Sequence, residues 1–376
     1  MKNSALYVHI PFCDHKCIYC DFYSIITKDN ISAFLNSLKK EIEYLSTHYS
    51  SDRIFTSVFF GGGTPSLMQP EYLNEILIHL KNNFIISADA EITMETNPGT
   101  VDKQKLKLFK DVGINRISIG IQSFDENELK FLTRIHDKKT AMQTVLNASD
   151  VGFDNINIDL IFNLPNQTKE KWVNNLQIAT ELPIKHVSAY SLILERGTIL
   201  NKMVLDKKVV MQDDDYDADL YETAIDFFTS KGFYQYEVSN FTKPEFECIH
   251  NNAYWRYRDY LGLGPSAHSF MNGKRWWNFS SLKKYIGEIN QFENAVMNSE
   301  VISDSQTHDE YVMLALRSSG LNLKDYNNRF NKEWLLNNQK YFNILKEQNL
   351  ISTSHDFIKL TAKGYAVCDE ILKNIL

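Results

Sequence analysis

The chain lacks the features that mark membrane, secreted and low-complexity proteins. Its apolar runs all fall short of the ~18 residues that a membrane-spanning helix needs. The N-terminal segment MKNSALYVHIPFC reaches a histidine and a proline before the apolar stretch of a signal peptide can form. Glycine and proline are sparse, at 15 and 8 among 376 residues, and there is neither an internal repeat nor a low-complexity tract. We therefore expect a folded, cytoplasmic protein that is not integral to a membrane, with peripheral attachment to one left open.

A surplus of positive charge is also missing. Lysine and arginine number 40 against 47 aspartate and glutamate, which gives a net charge of −7. General nucleic-acid binding depends on clustered cations that contact phosphates. We therefore expect no nucleic-acid partner. The length allows two or three domains at roughly 150 residues each.

The cysteines do not form the pattern of a disulfide scaffold. There are five, an odd number, and three of them form a C-x3-C-x2-C motif at Cys13, Cys17 and Cys20. A disulfide framework is typical of short secreted chains with an even cysteine count. Three clustered thiols instead indicate a metal or cluster site, whereas Cys248 and Cys368 are isolated and read as buried free cysteines.

Three thiolates on one short loop suit an iron–sulfur cluster. A 4Fe–4S cube has four iron corners, which thiolates usually hold, so three cysteines leave one iron open to a small ligand. S-adenosylmethionine binds such an iron through its amino and carboxylate groups, and an electron from the cluster then cleaves a C–S bond to release an adenosyl radical. A zinc site is the alternative, and it requires a fourth ligand, for which His9 or His15 is available.

The first half of the chain alternates strand-like and helix-like segments. Six such β/α units in order predict a parallel sheet that closes or nearly closes, an α/β fold with a partial (β/α)6 TIM-like barrel. The predicted strands are 5–12, 56–60, 91–96, 116–122, 155–162 and 186–194. The predicted helices are 31–48, 70–83, 102–112, 138–151 and 169–182.

The second half is predicted to add a covering segment and a small domain. A helix at 213–231 and a strand at 233–239 extend the barrel, and the aromatic-rich residues 240–300 read as irregular structure over a pocket. Residues 305–376 combine short helices with the strand-like FIKLTAKGY, a pattern typical of a winged-helix-like domain. The predicted divisions are thus a barrel at 1–240, a connecting segment at 241–304 and a C-terminal domain at 305–376.

Glycines and polar residues follow the predicted strands, where chemistry gathers in a parallel sheet. Gly61, Gly62 and Gly63 end the second strand, and glycines there let the backbone turn its N–H and C=O groups towards a ligand. A tight turn is the structural alternative. The later strands add three side chains that we expect at strand ends and an arginine suited to a carboxylate, namely Glu95, Gln122, Asp159 and Arg134.

The run YVHIPFCDHKCIYCDF, followed by GGGTP, ISIGIQSF and NIDLIFNLP, resembles the radical S-adenosylmethionine (SAM) family of oxygen-independent coproporphyrinogen III oxidase and its relatives. The resemblance covers nearly the whole chain. It implies that cluster-bound SAM contacts Tyr7, Tyr19, Gly62, Gly63, Thr64 and Glu95. It also implies that Gln122, Arg134 and Asp159 match positions that hold SAM in the oxidase, including a second molecule there.

Two departures distinguish the chain from the oxidase itself. The oxidase has a further cysteine two places after the cluster motif, where this chain has Phe22, and it has an N-terminal extension before its first strand. Both departures resemble the heme chaperone branch of the family, HemW. That branch is thus the expected relative.

A third feature resembles the same branch. Residues 250–255, HNNAYW, match its H-N-x-x-Y-W heme-binding motif, which implies heme contacts by His250, Tyr254 and Trp255. Imidazole is a common ligand of heme iron, and aromatic rings pack on porphyrins. Ordinary core packing is the alternative for these residues. His268 and Cys248 are lesser candidates for the iron.

The resemblance implies a heme chaperone that binds heme and passes it to acceptor hemoproteins, with respiratory membrane proteins as one acceptor class. No catalytic residue is assigned, and we expect no coproporphyrinogen decarboxylation. The alternative is an oxygen-independent coproporphyrinogen III oxidase, which removes carboxyl groups from propionates by radical chemistry. A structural iron–sulfur protein without a heme role is the third hypothesis.

Overall fold

In the computed structural model, which describes residues 1–27, 29–330 and 333–376, six parallel strands form the centre of one large sheet. They stand side by side in chain order, each paired in parallel with the next. The predicted partial (β/α)6 barrel is therefore confirmed. The strands are β1 (Lys2–Ile10), β2 (Arg53–Gly62), β3 (Ile86–Thr96), β4 (Arg116–Gln122), β5 (Asn155–Phe162) and β6 (His186–Ser191).

Helices connect these strands at the predicted positions. The apolar residues of the first helix, such as Phe34, Leu38 and Ile42, recur at helical spacing and are fully buried against the sheet. The helices are α1 (Ile31–Tyr49), α2 (Pro70–Asn83), α3 (Lys103–Asp111), α4 (Glu126–Phe131), α5 (Lys138–Asp150), α6 (Lys169–Glu181), α7 (Ile199–Leu205) and α8 (Asp214–Ser230). The short α4 and α7 were not predicted, because two turns contain too few residues for a periodic pattern.

The prediction of irregular structure over 240–300 is wrong. The predicted strand at 233–239 is present as β7 (Tyr234–Glu237), and the segment after it forms β8 (Asn240–Thr242), α9 (Ile249–Trp255), β9 (Tyr260–Leu263), β10 (His268–Met271), β11 (Lys274–Asn278), α10 (Leu282–Phe292) and β12 (Val296–Val301). The strand β9 pairs in parallel with β1, and β10 to β12 continue the sheet in antiparallel order. Strands of three to six residues show too little alternation to be recognised from sequence. Within the described residues β12 and β7 are the edges of the sheet, so the barrel is open.

The C-terminal residues form a second, smaller core. Its three-stranded antiparallel sheet has the order β13-β15-β14, as expected of a winged-helix-like unit. Its elements are α11 (Asp304–Leu316), β13 (Leu321–Asn322), α12 (Leu323–Arg329), α13 (Glu333–Glu347), β14 (Ile351–Thr353), β15 (Phe357–Leu360), α14 (Ala362–Ala366) and α15 (Cys368–Ile375). Only the first part of FIKLTAKGY is a strand, because Thr361 caps the next helix by accepting from the Gly364 N–H at 3.1 Å.

The hydrophobic cores show how these parts associate. One core contains apolar residues from Leu6 to Ala295, and a separate one contains residues from Tyr311 to Ile375. The elements of 241–304 therefore share the core of the barrel. The division into 1–240, 241–304 and 305–376 stays a prediction. Across the described ranges, no helix is both long and apolar enough to span a bilayer.

A buried carboxyl ties α1 to the added part of the sheet. Glu41 accepts hydrogen bonds from the Gly264 N–H at 2.7 Å, the Tyr285 hydroxyl at 2.7 Å and the Asn278 amide at 2.5 Å. Burial raises the pKa of Glu41 from its ordinary 4.5 to about 7, against the lowering effect of these three donors. The protonated form is therefore favoured in the folded state.

We expect this carboxyl to make stability pH-dependent. Its contribution is fully present below pH 4.5 and is lost as the pH rises through about 7, because the folded state binds the proton more tightly than the unfolded one. A shift of this size corresponds to roughly 3 kcal/mol. Urea unfolding between pH 5 and 8 should show Glu41→Gln matching the wild type at low pH and exceeding it at pH 8. The exposed Glu43 on the same helix supplies the control, Glu43→Gln, and parallel profiles for Glu41→Gln and the wild type would contradict the assignment.

Candidate functional site

The carboxyl ends of the parallel strands surround a cavity with two lobes. The smaller, about 150 Å³, is lined by the three motif cysteines, and we call it the cysteine lobe. The larger, about 610 Å³, extends between the strands to His250, and we call it the large lobe. The two lobes are continuous, since they share the lining residues Tyr19, Phe22, Gly62, Glu95, Ser118, Gln122 and Asp159.

The cysteine loop begins where β1 leaves the sheet. Cys13, Cys17 and Cys20 are half-buried and all face the cysteine lobe. Backbone bonds hold the loop in shape, from Cys13 N to Ile25 O at 3.0 Å and from Cys20 N to Cys17 O at 3.2 Å. Burial is the main cause that raises the pKa of the Cys20 thiol to about 11. Bound metal would reverse this preference, because thiolates are the ligating form.

The groups around the thiols suit an iron–sulfur cluster. The hydroxyl of Thr64 lies 3.1 Å from Cys13 Sγ, and Nη1 of Arg134 lies 3.5 Å from Cys17 Sγ. A guanidinium next to thiolates offsets their negative charge. Arg134 also donates to Asn97 Oδ1 at 2.7 Å and to Gly120 O at 2.5 Å. Its buried Nε has no partner among the described residues.

The two histidines considered for zinc have other partners. His9 Nε2 donates to the Tyr23 carbonyl at 2.9 Å, so its Nδ1 accepts from the Tyr7 hydroxyl at 3.1 Å. His15 Nε2 lies 3.2 Å from the Thr133 hydroxyl. In the part of the chain that the structure describes, no three Cys, His, Asp or Glu side chains converge closely enough to hold a single metal ion. The donor set thus fits separated iron atoms better than one tetrahedral zinc ion.

Gly62 and Gly63 have to be glycines because the glycine loop packs closely against β1 and the start of the cysteine loop. A Cβ on Gly63 would lie 2.6 Å from the Phe12 carbonyl oxygen, and one on Gly62 would lie 2.5 Å from the His9 ring. Gly62 also has a φ of 108°, which favours glycine. Its N–H donates to Glu95 at 3.1 Å, and that of Gly63 donates to a β1 carbonyl. These two N–H groups therefore have partners within the protein, and contact of the glycines with a ligand stays a prediction.

Two buried carboxyls line both lobes. Burial and the nearby charge of Asp159 raise the pKa of Glu95 to about 8. Burial likewise raises the pKa of Asp159, which accepts from Asn157 at 2.7 Å. Asp159 lies within β5 and not at its end, contrary to expectation. Such acceptors suit a cation or hydroxyl donors, and SAM has a sulfonium, an ammonium and a ribose.

Gln122 is directed into the cavity by an irregular backbone. Its φ of 73° lies in the left-handed region, and the pairing of β4 with β5 shifts between Gly120 and Gln122. A bulge of this kind turns a side chain away from the regular alternation. Tyr7 and Tyr19 complete the SAM candidates that line the large lobe, and Tyr19 lines both lobes.

His250 lies at the far end of the large lobe. The helix α9 packs against β1 and β2, and the Glu91 carboxylate accepts from the N–H groups of Ile249 and His250, each at 3.1 Å. The imidazole contacts the Ser57 hydroxyl through Nδ1 at 3.0 Å and the Tyr254 hydroxyl through Nε2 at 2.8 Å. Burial, reinforced by Arg116, lowers the pKa of His250 to about 3. The ring is therefore neutral, which is the form that ligates metals.

The remaining heme candidates lie elsewhere. Trp255 is half-buried and is not one of the residues that line the large lobe, unlike Tyr254. His268 is exposed and stacks on Trp277 with ring centroids 5.7 Å apart. Cys248 is buried, and its thiol donates to Glu91 at 3.4 Å. Of the motif, the structure thus brings His250 and Tyr254 to the cavity.

Several lining residues were not predicted. They stand in the strand interiors at alternate positions, as with Asn157, two residues before the predicted Asp159 on β5, and with Ser188 and Tyr190 on β6. Polar residues at alternate positions of an otherwise apolar parallel strand are the signal that identifies them. Phe59 and Arg116 also line the lobe.

Comparisons with known proteins agree with this geometry. The model of the radical SAM superfamily matches residues 7–179. The chain is 32% identical to the heme chaperone HemW of Lactococcus lactis, over 100% of this chain and 98% of that protein. It is 30% identical to the heme chaperone HemW of Bacillus subtilis, over 99% of this chain and 98% of that protein. The solved structure of coproporphyrinogen III oxidase from Escherichia coli superposes with a TM-score of 0.84 at 24% identity, over 100% of this chain and 90% of the other, and it shows the shared fold.

The barrel and its three-cysteine loop are those of a radical SAM protein. Within that superfamily, the chain belongs to the HemW family. The resemblance seen in the sequence is confirmed, and the superfamily brings a 4Fe–4S cluster and SAM as its cofactors.

We predict that Cys17→Ala abolishes the cluster, because it removes one of three ligands on the loop. Anaerobic reconstitution of the wild type should give about four iron and four sulfide per chain and a broad visible absorption. The isolated thiols Cys248 and Cys368 provide controls, and their alanine variants should retain iron. Stoichiometric zinc without sulfide in the wild type would contradict the cluster assignment.

We predict that Gly63→Ala weakens both iron retention and the effect of SAM on the reduced cluster. The new methyl group would press on the Phe12 carbonyl and displace the adjoining cysteine loop, and such overpacking costs about 1–3 kcal/mol. The matched control is Gly287→Ala, since nothing lies within 4 Å of a Cβ at that position on α10. Iron analysis and electron paramagnetic resonance with and without SAM measure the two effects. Equal values for the two variants would refute the role given to the close approach.

Proposed function

We propose that this chain is a heme chaperone, which binds heme in the large lobe and passes it to acceptor hemoproteins. The observation that carries the proposal is a neutral imidazole, that of His250, at the end of a cavity of about 610 Å³. This volume lies within the range of about 300–1,000 Å³ for small-molecule sites. The full-length similarity to proteins named heme chaperone HemW supports the same function.

The surroundings of His250 suit an iron ligand. In the tautomer whose Nδ1–H donates to Ser57, Nε2 carries the lone pair and accepts from the Tyr254 hydroxyl. Iron binding at Nε2 displaces that hydroxyl, while Ser57 keeps the ring oriented. Phe59, whose ring centroid lies 4.9 Å from that of His250, and Tyr254 supply aromatic packing.

The SAM end of the cavity has its own residues. The thiols of Cys13, Cys17 and Cys20 would hold the cluster, which when bound supplies the electron for C–S bond cleavage. Glu95 and Asp159 would accept from the cationic and hydroxyl groups of SAM. The remaining candidates proposed to contact SAM, including a second molecule, are Tyr7, Tyr19, Gly62, Gly63, Thr64, Gln122 and Arg134.

The charge of the large lobe favours the chaperone over the oxidase alternative. Four acidic residues line it, namely Asp21, Glu95, Asp159 and Glu195. Among its described lining residues Arg116 is the one Lys or Arg, and its Nε lies 3.8 Å from Glu91. Coproporphyrinogen III carries four propionates, for which this lobe offers one guanidinium. Heme carries two, on one edge, which can point to solvent.

The proposed function includes the transfer of heme to acceptor hemoproteins. A carrier must release heme, so the loaded cavity should stay open to solvent at its mouth. Membrane-bound respiratory hemoproteins are one acceptor class, and delivery to them would bring the chain from the cytoplasm to the membrane surface. Transfer from the loaded chain to membranes that contain apo-hemoprotein would test this.

We predict that His250→Ala changes the Soret band and weakens heme retention but leaves cluster content unaltered, because the cysteine loop does not depend on α9. Tyr254→Ala should weaken retention with a smaller spectral change. The exposed His268 provides the matched control, His268→Ala, which should behave as the wild type.

The same reconstituted sample separates the two functions. Heme retention without decarboxylation of coproporphyrinogen III is the expected result. If His250→Ala binds heme with the wild-type spectrum and affinity, another residue is the iron ligand. If the wild type decarboxylates coproporphyrinogen III at a rate comparable to that of a true oxidase, the protein is an oxidase and the chaperone proposal is wrong.

A further inference from the structure

Two large apolar side chains at the mouth of the large lobe are exposed to water. Phe22 is 63% exposed and follows Cys20 by two positions, and Ile193 is 66% exposed and follows the end of β6 by two positions. Both line the large lobe. Single exposed apolar residues are common on protein surfaces, but two that border one ligand cavity indicate a contact with a ligand.

Buried apolar residues support the two segments that carry these side chains. Leu192 and Ile161, which also line the lobe, are buried in one apolar cluster with Ile18 of the cysteine loop. The Leu200 N–H donates to the Ile18 carbonyl at 2.9 Å and so joins α7 to that loop. The mouth of the cavity therefore presents its apolar surface from two connected segments.

Apolar and acidic residues alternate around the opening of the large lobe. Phe22 and Ile193 provide exposed apolar area there, beside the exposed carboxylates of Asp21 and Glu195, and the buried Leu192 adjoins them. SAM, which is charged and polar, gains little from such area. Heme, a large apolar plane whose carboxylates can point to water, gains the most binding free energy from it.

We propose that Phe22 and Ile193 form a rim that covers the porphyrin plane of bound heme. This inference rests on the proposed function and adds a ligand contact to it. It also gives a role to the position where the related oxidase has a cysteine. A phenyl ring there offers apolar area to a ligand that a thiol lacks.

The test compares Phe22→Ala with Ile26→Ala. Ile26 is also 63% exposed and lies in the same segment, but it is not a lining residue of the large lobe. We expect Phe22→Ala to weaken heme affinity roughly tenfold, the effect of losing most of one buried aromatic side chain. The Soret position should not move, since no iron ligand is lost, and Ile26→Ala should bind as the wild type. Hemin titration followed by absorption measures both quantities.

A second variant, Ile193→Ala, separates an effect on heme binding from damage to the cluster. It lies outside the cysteine loop, so it should weaken heme binding with full iron content even if Phe22→Ala loses iron. Wild-type affinity in both Phe22→Ala and Ile193→Ala, while the wild type binds heme, overturns the rim and leaves the proposed function standing. Unchanged heme affinity with impaired transfer to an acceptor also overturns it, because the residues would then contact protein. A wild type that binds no heme overturns the proposed function and the rim together.

Discussion

The close approach of two loops at the ends of β1 and β2 is the constraint on which the site depends. The Thr64 N–H donates to the Phe12 carbonyl and the Gly63 N–H to the Ile10 carbonyl, both at 2.8 Å. These bonds leave no space for a side chain on Gly63. They place Thr64 against Cys13 and so fix the thiols relative to the strand ends. The cysteine lobe and the acidic wall beside it follow from that contact.

The opposite end of the cavity depends on a buried carboxylate. Glu91 of β3 holds the first N–H groups of α9, a helix of seven residues that would not be stable alone. This anchor keeps His250 inside the barrel, with both ring nitrogens hydrogen-bonded. A histidine so placed is neutral at physiological pH and exchanges a hydroxyl partner for a metal without releasing a proton. One fold thus presents a thiol-rich end and an imidazole end to a single cavity.

Local patterns in the sequence predicted much of this arrangement. The apolar runs at 116–122 and 155–162 correctly predicted where β4 and β5 begin and end. The three cysteines identified the cluster loop because they are close together in the sequence. Long-range packing was not predictable. The pairing of β9 with β1 joins residues about 255 apart, and no local pattern encodes it. The orientation of Arg134 towards Cys17 and the inward position of Asp159 likewise depend on neighbours from other strands. Trp255 shares a motif with His250, but on a helix its position faces away from that of Tyr254.

Hydrogen–deuterium exchange of the reconstituted protein, with and without heme, tests most directly whether heme occupies the cavity. The account predicts slower exchange in three separate segments together, 18–27, 188–199 and 248–256, with 305–376 unchanged. These segments carry the rim, the end of β6 and the His250 helix. Slowing confined to 305–376 or to the sheet edge at 268–301 would contradict it, since heme would then bind away from the cavity.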